Sequence, residues 1–235
     1  MRLPLLICIV GVSSLTAPQL ANAQTATVSI RDVDAELSTA LQARCPEQAA
    51  AAKQLTQPLP KEERRRLLLS LQSCGASLEL FHLRLAAAHM ALNAFALSEQ
   101  SYERALRIQV TESGQAGLLT ALVRQKRSPR QEKKMRAHLG YFKKRTCGRG
   151  DICSAVAYAA WHVDDHALTL RMAERAIQLS FPSWQPYFMA ATAAYELSGV
   201  VDERSVGWLN EAQKRAPPAS VHKTIRVLLQ SAKAP

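Results

Sequence analysis

One segment of the chain recurs, and the spacing of its copies constrains the fold more than any other feature. The segment 103–108 (ERALRI) returns as 174–179 (ERAIQL), 71 positions later. A looser copy begins at Asn210 (NEAQ), and its alanine, Ala212, follows Ala176 by 36 positions. Spacings of about one and two times 34 to 36 residues indicate stacked helical hairpins, because each hairpin buries its apolar face only against a neighbour.

The composition favours an all-α fold. Apolar residues make up 48% of the 235 positions, charged residues make up 21%, and glycine occurs only 9 times. Ala, Leu, Arg and Gln dominate, whereas Val, Ile and Thr are sparse, so helix propensity exceeds strand propensity along most of the chain. This apolar content predicts a globular protein rather than a disordered one.

The copies resemble the tetratricopeptide repeat family, in which two antiparallel helices meet through small side chains. The residues that match its motif are Ala86, Ser98, Tyr102 and Ala105 in copy 79–112, Ala157, Thr169 and Ala176 in copy 150–182, and Ser205, Ala212 and Pro217 in copy 184–217. The resemblance implies a right-handed solenoid of stacked antiparallel hairpins. It also implies that the first helix of each hairpin lines a concave groove that receives a peptide.

Carried over to this sequence, the resemblance implies a protein-binding groove lined by eight first-helix residues. They are Leu80, Leu83, Ala87, Met90, Ser154, Tyr158, Trp161 and His162. Tyr158 and Trp161 lie three positions apart, so they project from one helix face, and aromatic side chains are typical binding anchors. The alternative is that both residues pack between hairpins as ordinary core residues.

The segments around the three copies also read as helices. Upstream, helices are predicted at 34–44, 47–55 and 59–74. Between the first two copies, residues 114–146 have room for another hairpin, with a helix at 118–127 and a second one that starts at Ser128 as N-cap and Pro129 as the first helical residue. A capping helix is predicted at 220–231. The predicted organisation is an N-terminal helical segment at 24–76, repeats at 77–219 and a C-terminal capping helix and tail at 220–235.

The N-terminus reads as a secretory signal peptide. Met1 and Arg2 precede an apolar run from Leu3 to Val12, and Ala21-Asn22-Ala23 matches the small-x-small pattern of a cleavage site. Cleavage after Ala23 predicts a periplasmic or secreted protein. No later stretch approaches the roughly 20 apolar residues of a membrane helix, so no transmembrane segment is expected in the mature chain.

Four cysteines follow the predicted signal peptide: Cys45, Cys74, Cys147 and Cys153. An even number in an exported chain suggests two disulfides, although the sequence alone allows three pairings. We predict Cys45 with Cys74 and Cys147 with Cys153, because each pair brackets a local helical turn. A four-thiolate zinc site is disfavoured, since no C-x-x-C spacing occurs.

The positive charge is concentrated between residues 124 and 149. This segment has eleven basic residues and one acidic residue, Glu132, so it carries +10 of the formal net charge of +11. The candidate anion-binding residues are Arg124, Lys126, Arg127, Arg130, Lys133, Lys134, Arg136, Lys143, Lys144 and Arg145. With so few local acids we expect uncompensated repulsion, and hence an anionic partner such as a lipid headgroup layer or an acidic protein patch. The alternative is a generic solvated surface.

Nucleic acid is a disfavoured partner for this segment. The only aromatic residues among its charges are Tyr141 and Phe142, whereas strand binding uses several stacking platforms.

The sequence contains no G-x-S-x-G, H-E-x-x-H, phosphate-loop or dinucleotide motif, so no catalytic residues and no cofactor are predicted. His162 and His166 have a spacing that can hold a metal ion on one helix face. The repeat alignment instead places Asp164 and Asp165 in a turn between two helices, so no metal site is predicted.

These observations favour a non-enzymatic periplasmic helical-repeat adaptor or scaffold that binds a protein partner of the cell envelope in its groove. Two alternatives remain. The first is a polyanion- or membrane-surface-binding module acting through the basic hairpin 124–149. The second is a peptidoglycan-active enzyme, because isolated catalytic carboxylates leave no local signature.

Overall fold

The computed structural model describes residues 30–46, 60–75 and 78–232. Within these ranges the secondary structure is entirely helical, which confirms the predicted all-α class. The eleven helices are α1 (Ile30–Arg44), α2 (Lys61–Gly75), α3 (Glu79–Ala91), α4 (Phe95–Ile108), α5 (Glu112–Val123), α6 (Pro129–Lys143), α7 (Gly150–His162), α8 (His166–Gln178), α9 (Gln185–Ser198), α10 (Glu203–Lys214) and α11 (Ala219–Ser231).

From α3 onward, the helices pack as adjacent hairpins. Helix α3 packs against α4, α7 against α8, and α9 against α10, while α5 contacts α4, α6 and α7. The first helices of the hairpins also contact one another in series, from α3 to α5, α7 and α9. The first helices are therefore neighbours, and residues on them can share one surface.

Small side chains lie where the two helices of a hairpin meet. Ala86 on α3 and Ser98 on α4 are fully buried, and the Ser98 hydroxyl donates a hydrogen bond to the Ala86 carbonyl oxygen at 2.9 Å. Ala157 on α7 and Thr169 on α8 are buried in the same way. Small side chains allow the two helix backbones to approach closely, which fixes the geometry of each hairpin.

The backbone conformation of the turns follows the same spacing as the sequence copies. Asn93 (φ 57°), Asp164 (φ 58°) and Gly199 (φ 73°) lie between the first and second helix of three hairpins, 71 and 35 positions apart. Ser180 (φ 56°) and Ala216 (φ 49°) follow the second helices of two hairpins, 36 positions apart. Asn, Asp and Gly are the residues that adopt this left-handed conformation most readily, which explains the first set.

The upstream and C-terminal helix predictions agree with the structure where it can be compared. Helices predicted at 34–44 and 59–74 correspond to α1 and α2, and the predicted capping helix at 220–231 corresponds to α11. The predicted signal peptide and the predicted helix at 47–55 lie outside the described residues.

The hairpin between the first two copies is also present, but its first helix is shifted. Helix α5 begins at Glu112 instead of 118 and ends at Val123 instead of 127. Its N-cap is Thr111, whose hydroxyl oxygen accepts from the Gly114 backbone N–H at 3.2 Å. Two glycines in the first turns, Gly114 and Gly117, obscured this start, because glycine has a low helix propensity.

Helix α6 begins as predicted. The Ser128 hydroxyl oxygen accepts from the Gln131 N–H at 3.3 Å, and Pro129 is the first helical residue. This arrangement satisfies one of the free N–H groups of the first turn, and Pro129 has no N–H group that would need a partner.

Both predicted disulfides are present. Cys45 and Cys74 join the end of α1 to α2 with their Cα atoms 6.3 Å apart, and Cys147 and Cys153 join the α6–α7 connection to α7 with Cα atoms 5.6 Å apart. Among the described residues, every helix is too short or too polar to cross a bilayer.

Over the described residues, the core consists of three apolar clusters. The largest extends from α3 through α9. A second joins α1 and α2 to α3 and includes Leu41, Leu71 and Phe81, and a third joins α9, α10 and α11. The large central cluster positions α5, α6 and α7, which carry the candidate functional residues.

Candidate functional site

Helix α7 carries the aromatic residues predicted for the groove. Its buried face consists of Ile152, Val156, Ala157 and Ala160, which pack in the central core. Gly150 is the first residue of the helix, and a Cβ atom added to it would lie 2.9 Å from the Cβ atom of Phe181. The first turn of α7 therefore packs closely against the segment that follows α8. With this face buried, Tyr158, Trp161 and His162 are only half-buried near the C-terminal end of the helix.

These three side chains form one cluster. The Tyr158 and Trp161 rings are stacked with centroids 6.3 Å apart and an interplanar angle of 18°. The His162 ring meets Tyr158 edge-on at 4.6 Å and Trp161 edge-on at 5.5 Å. We call Tyr158, Trp161 and His162 the aromatic cluster. It provides a flat, partly accessible aromatic surface.

The histidine of the cluster is held neutral. Burial and, to a smaller extent, the positive charge of Arg127 lower the pKa of His162 to about 4, although the Asp164 carboxylate opposes the shift. The Nε2 atom of His162 is buried and has no hydrogen-bond partner among the described residues. The imidazole of the cluster is therefore uncharged at neutral pH, and its unpartnered Nε2 atom is buried.

Two arginines, at and just after the C-terminal end of α5, lie near the cluster. Burial raises the pKa of the Tyr158 hydroxyl, and the positive charge of Arg124 partly opposes this effect, which places Arg124 within electrostatic range. The Arg127 guanidinium lies 3.8 Å from the Asp164 carboxylate and 3.6 Å from that of Glu132. Arg124 closes helix α5 as its C-cap, so α5 contributes to the surface that α7 presents.

Two of the eight predicted groove residues are buried in the structure, and the other six are half-buried. Leu83 and Ser154 are only 5% and 4% exposed, so they belong to the core and are not free to contact a partner. Leu80, Ala87 and Met90 on α3 are half-buried, like the three residues of the aromatic cluster on α7. Helix α5 lies between α3 and α7 and contacts both.

Sequence reasoning missed the contribution of α5 to this face. Val123 is half-buried against the central core, and Arg124 lies near Tyr158. Both stand at the C-terminal end of a first helix, as Trp161 and His162 do. The spacing of the hairpins could have identified α5 as a first helix of this face. The end of α5 was predicted at 127, four residues after the observed end at Val123.

The expected repulsion in the basic segment is relieved in part by acids from other parts of the fold. Lys134 on α6 contacts the carboxylates of Glu99 and Glu103 on α4. Burial lowers the pKa of Lys134, but its hydrogen bonds to these two acids outweigh burial and raise it. Lys143 pairs with Asp165 at 3.2 Å, and Arg136 pairs with Glu132 at 3.0 Å. Acids that are distant in the sequence therefore lie close to this segment in the fold, contrary to the expectation that its charges are uncompensated.

Six of the ten predicted anion-binding residues form no ion pair within the described part of the chain. They are Arg124, Lys126, Arg130, Lys133, Lys144 and Arg145; the paired ones are Arg127, Lys134, Arg136 and Lys143. The Arg145 guanidinium lies over the Tyr141 ring, 4.2 Å from its centroid. All of the six except Arg124 are exposed.

The two histidines at i and i+4 lie on different helices. Helix α7 ends at His162, Asp164 adopts a positive φ, and α8 begins at His166 with Asp165 as its N-cap. Over the described residues, no group of three His, Cys, Asp or Glu side chains is arranged to hold a metal ion.

Comparison of the sequence with models of known protein families finds no match, and comparison with characterised proteins finds none either.

Proposed function

We propose that this protein is an exported, non-enzymatic adaptor of tetratricopeptide-repeat-like architecture, which binds a protein partner of the cell envelope on the face of its first helices. The aromatic cluster on α7 is the centre of this face. The observation that carries the proposal is this cluster, in which stacked aromatic rings, a neutral histidine and a neighbouring arginine remain partly accessible on a helix whose other side is buried.

Three repeated features support the solenoid architecture. The small residues at the helix contacts are buried in corresponding positions, the turn residues with positive φ recur with the same spacing, and the first helices contact one another in series. Each feature alone is compatible with other helical bundles. Together they favour stacked hairpins, because only a repeated unit produces the same backbone and packing at fixed intervals.

The chemistry of the aromatic cluster supports protein recognition. Tyr and Trp supply large contact areas and lose little side-chain entropy on binding, which is why they dominate binding hot spots. An arginine beside them supplies several directional donors for carbonyl or carboxylate oxygens of a partner. The two disulfides support an oxidising compartment, in agreement with the predicted export to the periplasm or the medium.

The test is affinity capture from solubilised envelopes with the purified, oxidised protein and a double variant, Tyr158→Ala with Trp161→Ala. Loss of two hot-spot side chains is expected to weaken binding of a groove partner at least 100-fold, since each contributes about 2 kcal/mol or more. The readout is the affinity of the captured partner, identified by mass spectrometry and then measured with purified components.

Trp208→Ala is the matched control. Trp208 is half-buried on α10, a second helix, with the Arg204 guanidinium 4.5 Å from its ring centroid. The Trp208→Ala change removes a half-buried aromatic side chain of similar size but leaves the aromatic cluster unchanged. A partner that binds the double variant as tightly as the unchanged protein, or is lost equally with Trp208→Ala, would contradict the proposed binding face.

A further inference from the structure

The cations of helix α6 fall into two sets with different surroundings. The Lys134, Arg136 and Lys143 side chains pair with carboxylates, two of them with acids on other helices. Arg130, Lys133 and Lys144 form no ion pair with any described residue and are exposed. Lys134 and Lys143 link α6 to α4 and to the turn before α8. Arg130, Lys133 and Lys144 make no such link, although the Arg130 charge helps to lower the pKa of Glu99.

The unpaired cations share one face of the helix. Residues 130, 133, 137, 140 and 144 follow one another at intervals of three or four positions, which keeps them on one side of an α-helix. All five are exposed. The opposite side consists of Met135, Leu139 and Phe142, which are buried in the central core. The face therefore points directly away from the body of the protein, and the residues between its cations are only Ala137 and Gly140.

The C-terminal end of this helix is fixed in place. The Arg171 guanidinium on α8 donates to the Phe142 carbonyl oxygen at 2.7 Å and to that of Lys143 at 2.9 Å. These bonds satisfy carbonyl groups that a helix end leaves free. Lys144 and Arg145 are exposed just after this end of the helix, and Lys126 is exposed before its N-terminal end. The cations therefore lie toward the two ends of the face, with Ala137 and Gly140 between Lys133 and Lys144.

We propose that the exposed face of α6 binds the surface of an anionic phospholipid bilayer. A layer of mobile phosphate headgroups needs only positive charge from its ligand, and this face offers charge without an acidic residue. A protein interface requires an apolar or aromatic anchor at its centre, and single-stranded nucleic acid requires stacking platforms. The face has neither, since Phe142 is buried and Tyr141 is half-buried beneath Arg145.

The test measures binding of the purified, oxidised protein to vesicles of phosphatidylcholine alone and of phosphatidylcholine with phosphatidylglycerol in equal parts. We expect binding only to the mixed vesicles, and weaker binding as salt is added. The variant Arg130→Gln, Lys133→Gln, Lys144→Gln should bind them about 100-fold more weakly, at about fivefold for each charge removed. Its circular dichroism and thermal unfolding should be unchanged, because all three side chains are exposed.

The matched control is Arg107→Gln, Lys223→Gln, Arg226→Gln. These three side chains are exposed, form no ion pair within the described residues, and lie on α4 and α11, so the net charge falls equally. The control and the groove variant Tyr158→Ala, Trp161→Ala should both keep vesicle binding within about threefold. This result would show that bilayer binding does not involve the proposed groove.

Three results would overturn the proposal. The first is equal binding to vesicles with and without phosphatidylglycerol. The second is an equal loss of vesicle binding in the control variant, which would mean that binding depends only on the net charge of the protein. The third is tighter binding of a DNA duplex or of polyglutamate than of the mixed vesicles, which would assign the face to another polyanion.

Discussion

His162 shows how the tertiary surroundings of a single residue change its chemistry. Its ring lies against Tyr158 and Trp161, with Arg127 and Asp164 as the nearest charged groups. Removal of water from the ring disfavours the charged form, and the Arg127 charge adds to this effect. The pKa falls from the ordinary value of 6.5 to about 4, so the imidazole is neutral over most of the pH range.

This shift makes the stability of the fold depend on pH. Between a pH of about 4 and 6.5 the unfolded chain binds a proton at His162 and the native state does not, so stability falls as the pH falls through this window. From pH 7 to about pH 5 the contribution of this one residue should lower the free energy of unfolding by about 2 kcal/mol.

The measurement is urea unfolding at both pH values for the unchanged protein and for His162→Gln. Burial also lowers the pKa of His89 and His138, so a part of the pH dependence should remain in the variant. An unchanged pH dependence in His162→Gln would show that His162 titrates normally in the native state.

At the scale of helices, close contact between α4 and α5 depends on the absence of one side chain. A Cβ atom at Gly117 would lie 2.2 Å from the Cε1 atom of Tyr102, whose ring is buried between the two helices. The phenol occupies the space that any larger residue on α5 would need. The glycine that weakens α5 as a helix therefore strengthens its packing against α4.

Gly117→Ala should lower the free energy of unfolding by about 1–3 kcal/mol, because the added methyl group overpacks a closed contact. Gly140→Ala is the matched control in α6, where an added Cβ atom meets nothing within 4 Å. There alanine should stabilise the helix by up to about 1 kcal/mol through its higher propensity. Chemical denaturation of both variants gives the two changes, and effects of equal sign would contradict this explanation.

At the scale of the whole molecule, the two disulfides stabilise different apolar clusters. Cys45 and Cys74 link α1 to α2, which pack with α3 in a cluster of their own. Cys147 and Cys153 are both fully buried in the central cluster. Loss of either bond should therefore act on its own part of the fold.

Cys45→Ser with Cys74→Ser should weaken the N-terminal cluster by about 3 kcal/mol, since the bond closes a long loop of the unfolded chain. Hydrogen exchange should accelerate in α1 and α2, while α7 to α10 keep their protection. Cys147→Ser with Cys153→Ser should give the reverse pattern, with faster exchange in α7 and α8. Uniform acceleration in both variants would mean that the fold unfolds as a single cooperative unit.

The distribution of charge is also a property of the whole molecule. Along the sequence, residues 124–149 carry eleven basic residues and one acid. In the fold, Glu99, Glu103 and Asp165 approach the same segment from α4 and from the turn before α8. Six cations of the segment form no ion pair with a described residue, and three of them, Arg130, Lys133 and Lys144, lie on the exposed face of α6.

The sequence by itself determined the helical class, the start of one helix, the disulfide pairing and the positions of the small residues between helices. Helix propensity predicted the all-α class, Ser128 and Pro129 predicted the start of α6, and cysteine spacing predicted both disulfides. The repeated small residues predicted which positions would be buried between helices, as Ala86 and Ala157 are. The helices and the cap follow from backbone periodicity and local hydrogen bonds, which a single segment already contains. The disulfides and the small-residue contacts follow from the spacing of particular residue types along the chain.

Only the tertiary structure decided which side chains remain free to act. It buried Leu83 and Ser154, left the aromatic cluster accessible, and separated Lys134 from Lys133 although they are adjacent in the chain. One of these lysines faces two acids on α4 and the other faces solvent. The reason is that pairing and burial depend on distances between helices, and residues more than 30 positions apart set those distances once the helices pack.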